Sequence, residues 1–197
     1  MGHREQLLTA ARRCLEERGY ARTTARDLVA ASGTNLASIG YHFGSKEALL
    51  NEAILEAFAE YTEKLLAATG GEWAGTDPLE RLRASWTEMV EDFVQMRPLL
   101  VAFVEALAQA ERHPSLRAQL AEGYEALREA VASAVLEAAT DLPAGCARTI
   151  ASFMIVVSDG LMVQWLLDPE ATPSGGELFD TVRLLFGGAA DSVPPDD

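Results

Sequence analysis

Two short helices joined by a turn at one glycine constrain this chain most, and both lie within the segment Thr23–Lys46. The first predicted helix follows Thr24, whose side chain can cap it, and it ends at Gly33. Asn35 can cap a second helix over Leu36–Phe43. Two helices with a short turn that contains glycine are typical of a helix-turn-helix, whose second helix fits the major groove of DNA.

The second of these helices carries different residue types on its two faces. Ile39 and Phe43 are four residues apart, so we expect both to point inward. The positions expected to stay outside are Leu36, Ala37, Ser38, Tyr41 and His42. A hydroxyl at the start of the helix can hydrogen-bond to a base edge, and small apolar side chains can touch a thymine methyl group. The alternative for the first three positions is an ordinary solvated helix start.

A net charge of −14 opposes DNA binding unless the charge is unevenly distributed. Residues 1–50 carry seven Lys or Arg and five Asp or Glu, whereas the remainder carries nine basic and 25 acidic residues. This asymmetry predicts a head that DNA does not repel and an acidic body that is turned away from it. Because the head is only mildly basic, we expect two heads to bind together, as in a dimer on a palindromic site.

The segment from about Glu5 to Leu50 resembles the N-terminal domain of the tetracycline-repressor (TetR) family of bacterial transcription regulators. The matching positions include Leu7, Leu8, Gly19, Tyr20, Thr23, Thr24, Ala30, Ala31, Ser32, Gly33, Tyr41, His42, Phe43, Ser45, Lys46 and Glu47. The resemblance implies an all-α chain, with an N-terminal three-helix DNA-binding domain and a C-terminal helical bundle for ligand binding and dimerisation. We assign residues 1–47 to the first domain, 48–190 to the second, and 191–197 to a disordered tail.

The resemblance also implies a set of DNA-binding residues. They are Thr24, Asn35, Leu36, Ala37, Ser38, Tyr41, His42 and Lys46. In this interpretation Tyr41 and His42 hold the phosphate backbone, and Lys46 adds a charge at the N-terminus of the next helix. A histidine with its hydrogen bonds satisfied between helices is the alternative for His42. Gly40 departs from the family, in which tyrosine is common. Two explanations are considered: close approach of the helix to DNA, or close approach to the first helix.

Apolar periodicity and prolines predict the remaining helices. They are expected from Lys46 into the sixties, over Leu79–Met96, from Pro98 to about Glu111, from Pro114 onward, over Ala144–Leu167 and over about Glu177–Phe186. The composition of Ala68–Pro78 predicts a loop. The segment Ala144–Leu167 is apolar nearly all round. Its longest apolar region, Phe153–Leu167, is interrupted by polar residues and is too short to span a bilayer. Cys14 and Cys146 are expected to be buried free thiols.

In the TetR family a pocket among the middle helices binds a small molecule. The side chains that can line it here are Phe58, Tyr61, Trp86, Met89, Phe93, Phe103, Tyr124, Phe153, Met162 and Trp165, although each can equally be core. Asp159 interrupts an apolar helix and needs a partner. Three are considered: a ligand with a cation or hydroxyl, a positive group across a dimer interface, or water near Gly160.

The resemblance implies a cytoplasmic homodimer, joined through the last two helices, that binds a double-stranded operator and a largely apolar effector. Repression is inferred because it is usual in the family. A transcriptional activator would be consistent with the same sequence. No cofactor, metal or membrane is expected. An enzyme is disfavoured because the sequence contains no Ser/His/Asp set, metal-ligand spacing or phosphate loop. A dimeric ligand-binding or protein-interaction module without operator binding is the alternative, suggested by Gly40 and the acidic total.

Overall fold

The computed structural model describes residues 2–71, 78–139, 142, 143 and 145–187. Within these ranges the chain consists of helices and short turns without strands, so the expected all-α class is confirmed. The helices are α1 (His3–Arg18), α2 (Ala25–Ser32), α3 (Leu36–Phe43), α4 (Lys46–Gly71), α5 (Pro78–Ala110), α6 (Pro114–Ala138), α7 (Cys146–Leu167) and α8 (Gly175–Gly187).

The first three helices pack around a small apolar core that α4 completes. Leu7 and Leu15 of α1, Leu28 of α2, Ile39 of α3 and Leu50 of α4 are all buried there. Burial of one such side chain contributes about 1.5–3 kcal/mol. Helices of eight residues are not stable alone in water, so this shared core holds α2 and α3 in place.

The helix starts predicted at Thr24 and Asn35 are confirmed. Thr24 Oγ1 accepts a hydrogen bond of 3.2 Å from the Asp27 amide, and the Asp27 carboxylate accepts one of 2.9 Å from the Thr24 amide. Asn35 Oδ1 accepts a bond of 3.0 Å from the Ser38 amide. Gly33 adopts the left-handed conformation, with φ of 68°, and ends α2. The ends of these two helices are therefore set by contacts between residues close in sequence.

Arginines of α1 tie that helix to α4. Arg12 pairs with Glu60 at 2.6 Å and with Glu56 at 3.4 Å, and Arg4 pairs with Glu52. The three acids follow one another every four residues and share one face of α4. Partly exposed ion pairs each contribute no more than about 1 kcal/mol. Because α1 also packs against α4 through the shared apolar core, the head and the first half of α4 form one packed unit.

A single long helix, α5, takes the place of the two helices expected on either side of Pro98. That expectation is wrong. Pro98 lacks the amide that would donate to the carbonyl of Val94, but both residues are exposed, so water can satisfy that carbonyl. The loop expected from Ala68 is also corrected in part, because α4 continues to Gly71. Pro78, the last residue of that loop, begins α5. Residues 72–77 lie outside the described ranges, as does the expected tail 191–197.

The last three helices complete the body. Helix α6 packs against α4 and α7, and α8 packs against α5. One face of α7 is buried through Ala151, Ile155, Leu161, Met162 and Trp165. The N-terminus of α8 is capped by Ser174, whose hydroxyl accepts a bond of 3.2 Å from the Glu177 amide. This helix therefore starts at Gly175, two residues before the expected start.

By length and hydropathy alone, two helical segments are long and apolar enough to cross a membrane: Glu80–Ala110 and Cys146–Leu167. The second is longer than Phe153–Leu167, the region expected to be too short, because it also includes residues 146–152. Both helices pack against others of the bundle, and core helices of soluble proteins meet the same criterion. Of the two cysteines, Cys14 is buried as expected, whereas Cys146 at the start of α7 is only partly buried, and both are free.

Candidate DNA interface and effector domain

The start of α3 presents an exposed surface. Leu36, Ala37 and the cap residue Asn35 are exposed, as expected. Tyr41, one turn further along, has 86% of its surface accessible, and its ring meets that of His42 edge-on at 4.9 Å. A phenol held this far out can donate to a phosphate oxygen without any rearrangement. His42 itself is half-buried.

Of the residues expected outside on this helix, Ser38 is the most buried. Its side chain was expected outside, but only 8% of the residue is exposed. Its amide donates to Asn35 Oδ1 at 3.0 Å, and its hydroxyl lies 3.4 Å from the same oxygen. The cap at Asn35 thus draws Ser38 inward, because a capping side chain reaches the third residue of the helix. A base contact through Ser38 would require this hydroxyl to rotate outward.

Lys46 lies beside the N-terminus of α2. Its Nζ donates a hydrogen bond of 3.0 Å to the carbonyl oxygen of Thr23 and is 3.3 Å from the Glu47 carboxylate. The next residue, Thr24, donates its hydroxyl to Asp27 at 2.6 Å. Both groups expected to bind phosphate therefore already have partners within the chain. Each would have to exchange or share its partner when a phosphate arrives.

Asp27 places a negative charge near this end of α2. Hydrogen bonds from the Thr24 side chain and backbone, together with the nearby Arg18 charge, lower the pKa of Asp27, so the carboxylate is ionised at neutral pH. Arg18 pairs with it at 2.9 Å. That pair offsets the charge that would otherwise repel a phosphate.

Two further basic residues lie close to this helix end and were missed by the sequence analysis. Arg26, in the first turn of α2, is exposed. Arg22 is also exposed, and its Nε donates to the Arg18 carbonyl at 2.8 Å. The sequence feature that could have identified them is their position on either side of the cap residue Thr24. Arginine beside a helix N-terminus is a common phosphate ligand.

Gly40 faces open space. A Cβ atom built at this position meets nothing within 4 Å. Close approach to the first helix is therefore excluded as the reason for glycine. Close approach to DNA is the explanation that still stands.

In the body, most of the expected pocket residues share one apolar cluster. Phe58 and Phe103 meet with ring centroids 5.0 Å apart, Phe103 and Tyr124 at 6.2 Å, and Phe93 and Trp165 at 5.6 Å. Tyr61, Trp86, Met89 and Met162 belong to or pack against the same cluster. Phe153 does not, because it lies on the exposed face of α7, and its expected place with the others is corrected.

Asp159 finds its partner inside the chain. Tyr124 of α6 donates its hydroxyl to Asp159 Oδ2 at 2.8 Å, a partner that differs from the three considered from the sequence. Burial raises the pKa of Asp159, and the Tyr124 hydrogen bond opposes that effect. Burial and the carboxylates of Asp92 and Glu88 likewise raise the pKa of Tyr61. The cluster is thus apolar with a few polar groups, as small-molecule sites commonly are.

A cleft of about 420 Å³ lies between the head and the body. Its lining consists of Tyr20, Ala21, Lys46, Glu47, Glu105, Ala108, Gln109 and His113. Among the described residues, no three His, Cys, Asp or Glu side chains are grouped so that they could hold a metal ion.

An exposed recognition helix on a three-helix head, continuous with a helical body, defines a helix-turn-helix transcription regulator. Residues 7–53 match the bacterial regulatory proteins of the tetR family, and residues 78–181 match the C-terminal domain of BetI-type transcriptional repressors. The chain belongs to the tetR family of DNA-binding transcriptional regulators, and its body is of the BetI type. The family suggested by the sequence is confirmed.

Three individual proteins are similar to this chain, one in sequence and two in fold. The HTH-type transcriptional regulator TtgR of Pseudomonas putida is 25% identical over 189 residues, which cover 89% of this chain and 85% of TtgR. A TetR-family regulator from Rhodococcus sp. has the same fold, with a TM-score of 0.68, 21% identity, and coverage of 92% of this chain and 97% of that one. The multidrug binding protein EbrR, solved with proflavin, has a TM-score of 0.65 at 22% identity, covering 94% and 100%.

Proposed function

We propose that this regulator is a homodimeric repressor in the cytoplasm, which occupies a palindromic operator and releases it when a small, largely apolar molecule binds the body. The observation that carries the proposal is the exposed outer face of α3, where Leu36, Ala37 and Tyr41 are accessible to solvent. We assign residues 1–47 to the DNA-binding head and 48–190 to the body. Helix α4 crosses the boundary and links the two mechanically.

At the operator, each contact has a distinct chemical role. Leu36 and Ala37 touch thymine methyl groups, and Ser38 reaches a base edge after its hydroxyl rotates away from Asn35. Tyr41 and His42 donate to phosphate oxygens on one side of the groove. The N-terminus of α2 binds a second phosphate through Thr24 and its free amides, with Lys46, Arg22 and Arg26 supplying positive charge. Asn35 caps α3 first and contacts DNA second.

The effector site is proposed at the aromatic cluster of Phe58, Phe93, Phe103, Tyr124 and Trp165. The cluster offers apolar surface and two polar groups, Tyr124 and Asp159, that could orient a ligand. EbrR, which has this fold, binds the flat aromatic molecule proflavin. A ligand that prefers a body conformation with wrongly spaced heads weakens DNA binding, and linkage makes the effect reciprocal. A coupling of about 1–3 kcal/mol would change operator affinity roughly 5- to 150-fold.

The dimer interface is proposed on the exposed faces of the last two helices. Helix α7 leaves an apolar stripe uncovered, with Phe153, Val156, Val163 and Leu167 exposed, and α8 adds Leu184 and Leu185. A contiguous apolar stripe on a single chain favours burial against a second subunit. A two-fold axis through this face would produce two heads for two half-sites.

The first experiment measures binding of the purified protein to the DNA upstream of its own gene by fluorescence anisotropy, across a salt series and against scrambled DNA. We expect selective binding with two subunits, or a multiple of two, per site. Failure to discriminate the upstream DNA, and other tested loci, from scrambled DNA would contradict operator binding and favour the interaction-module alternative.

Two substitutions then test the assigned contacts. Tyr41→Phe removes only the exposed hydroxyl, and we expect weaker binding without loss of stability. Lys46→Ala removes both a charge and the bond to Thr23. If Lys46 contacts a phosphate, the slope of log Kd against log salt concentration should fall by about one in Lys46→Ala. If Lys46 only supports the turn, affinity falls while the salt dependence stays unchanged, and its assignment as a phosphate ligand is wrong.

A further inference from the structure

The turn Gly19–Thr24, which leads into the cap of α2, is held from more than one side. Lys46 of α4 donates to the carbonyl of Thr23 at 3.0 Å. Tyr20 is buried and donates its hydroxyl to Asn51 Oδ1, also on α4, at 2.8 Å. Because this turn sets where the N-terminus of α2 lies, these bonds position the end of the head that is proposed to meet phosphate.

One further bond reaches this turn from the body. Glu105 of α5 accepts a hydrogen bond of 3.0 Å from the backbone amide of Ala21, 84 residues away in sequence. Among the residues that the structure describes, it is the only hydrogen bond from the head to any of helices α5 to α8. A charged acceptor on a backbone amide makes a comparatively strong bond. The body therefore holds the head directly, as well as through α4.

The position of Glu105 within α5 connects this bond to the aromatic cluster. Phe103 lies two residues earlier, which places it about 200° away around the helix. Phe103 is buried and contacts Phe58, with ring centroids 5.0 Å apart, whereas Glu105 faces the head. Since the two side chains are on one rigid helix, a shift or rotation of α5 at Phe103 moves the carboxylate of Glu105 as well.

The surroundings leave room for such a movement. Glu105 borders the cleft of about 420 Å³ between head and body, so its carboxylate can leave Ala21 without opening the apolar core. Tyr20 lines the same cleft. Burial, with help from Glu47 and Glu105, raises the pKa of Tyr20 to about 12, so its hydroxyl keeps donating to Asn51 throughout the physiological range. On the side of the turn that faces the body, the contact that can change is therefore the one made by Glu105.

We propose that Glu105 is a positioning residue that couples the aromatic cluster of the body to the DNA-binding head through the amide of Ala21, along a path separate from α4. The inference rests on the proposed function, since it explains how occupancy of the cluster reaches the operator contacts. Phe103 is part of the cluster, Glu105 accepts the hydrogen bond from the turn, and the turn sets the position of Thr24. When α5 shifts, the hydrogen bond between Ala21 and Glu105 breaks, and the turn is no longer attached to the body.

The test compares Glu105→Ala with Glu105→Gln in the full-length protein. Both remove the same charge, but the glutamine retains a side-chain oxygen that can accept from Ala21. By NMR hydrogen exchange without DNA, we expect the Ala21 amide to exchange about tenfold faster in the alanine variant, with the glutamine variant close to wild type. Operator affinity should fall about three- to tenfold in the alanine variant and be restored by glutamine.

A double-mutant cycle then tests the link to the cluster, with Phe103→Met as the second change because the volume is roughly kept. If Phe103 acts through Glu105, Phe103→Met weakens operator binding in the wild type but has little further effect in the Glu105→Ala background. Additive effects would overturn the coupling. If the Ala21 amide exchanges at the wild-type rate in Glu105→Ala, the proposed attachment of the turn to Glu105 is wrong, although the operator-binding proposal still stands. If the wild-type protein itself does not bind operator DNA, the proposed function is wrong.

Discussion

The hydroxyl of Tyr124 donates a 2.8 Å hydrogen bond to the carboxylate of Asp159, and this bond joins α6 to α7 inside the body. Tyr124 also contacts Phe103, with ring centroids 6.2 Å apart. A single hydroxyl compensates only part of the cost of keeping a carboxylate away from water. Burial accordingly raises the pKa of Asp159 above its ordinary value.

This pair makes stability depend on pH in a defined direction. Because the pKa of Asp159 is higher in the folded than in the unfolded chain, the folded state binds its proton more tightly. The contribution of Asp159 therefore favours folding at acidic pH and is lost as pH rises through its folded pKa. We expect Asp159→Asn, which stays neutral and can still accept from Tyr124, to raise the Tm at pH 7 by a few degrees.

Thermal denaturation from acidic to neutral pH checks this prediction. The difference in Tm between Asp159→Asn and wild type should grow with pH. Asp168→Asn is the matched control, since it removes one negative charge at the exposed end of the same helix. A pH-independent difference, or an equal gain from the control, would show that net charge and not burial of Asp159 is responsible.

Neighbouring glycines at the start of α8 differ in what they touch. A Cβ atom added to Gly175 would clash with the backbone carbonyl group of Trp86, whereas one added to Gly176 meets nothing closer than 3.8 Å. Gly175→Ala must push α8 away from α5, and overpacking of this kind costs about 1–3 kcal/mol. Gly176→Ala should be close to neutral.

Urea denaturation of the two variants tests that contact. We expect a lower midpoint for Gly175→Ala and an unchanged midpoint for Gly176→Ala. Equal stability of the two would mean that α8 does not approach the backbone of α5 at Trp86. The comparison is well matched because the substitutions are the same and lie one residue apart.

Features fixed by local interactions could be predicted from the sequence. Thr24 caps α2 and Asn35 caps α3 through bonds to residues three positions ahead, so spacing alone identifies them. Gly33 ends α2 because it takes a left-handed conformation. The same local rules misjudged Pro98, since a proline stops a helix only if its surroundings do not accommodate the missing bond.

Features fixed by packing could not be predicted. The exposure of Phe153 and the partner of Asp159 each depend on which helix lies opposite. Glu105 stands in an apolar stretch of α5, which is an unusual place for a carboxylate. That signal identifies a constrained residue, but its partner Ala21 is 84 residues away and only the fold reveals it.

Gly40 allows a test of how closely α3 approaches DNA. Glycine inside a helix costs about 1 kcal/mol relative to alanine, and a Cβ atom here meets nothing within 4 Å. Gly40→Ala should therefore stabilise the free protein by about 1 kcal/mol. If DNA lies against this backbone, the same variant binds the operator more weakly despite its greater stability. Chemical denaturation and anisotropy, measured on one preparation, separate the two effects.

An unchanged or tighter operator affinity for Gly40→Ala would show that DNA does not press on this position. Glycine would then have no role in recognition. The stability gain is a separate outcome, because it depends only on the open space around the helix.

The exposed stripe on α7 leads to a prediction about assembly. Val156 has 68% of its surface exposed in the single chain, on the same face as Phe153 and Val163. If a second subunit covers this face, Val156→Arg would bury a charge without a partner, which a dimer tolerates poorly. We expect the variant to sediment as a monomer at micromolar concentration and to lose operator affinity, because one mildly basic head binds weakly.

Val94 provides the control for that experiment. It is also 68% exposed, but it lies on α5, outside the proposed interface. Val94→Arg makes the same chemical change at equal exposure, so it should leave both the dimer and the operator affinity intact. A monomer in both variants would point to general destabilisation, and a dimer in Val156→Arg would place the interface on another face. Because an isologous contact repeats each substitution on both subunits, the effect of Val156→Arg should be large enough to decide between these outcomes.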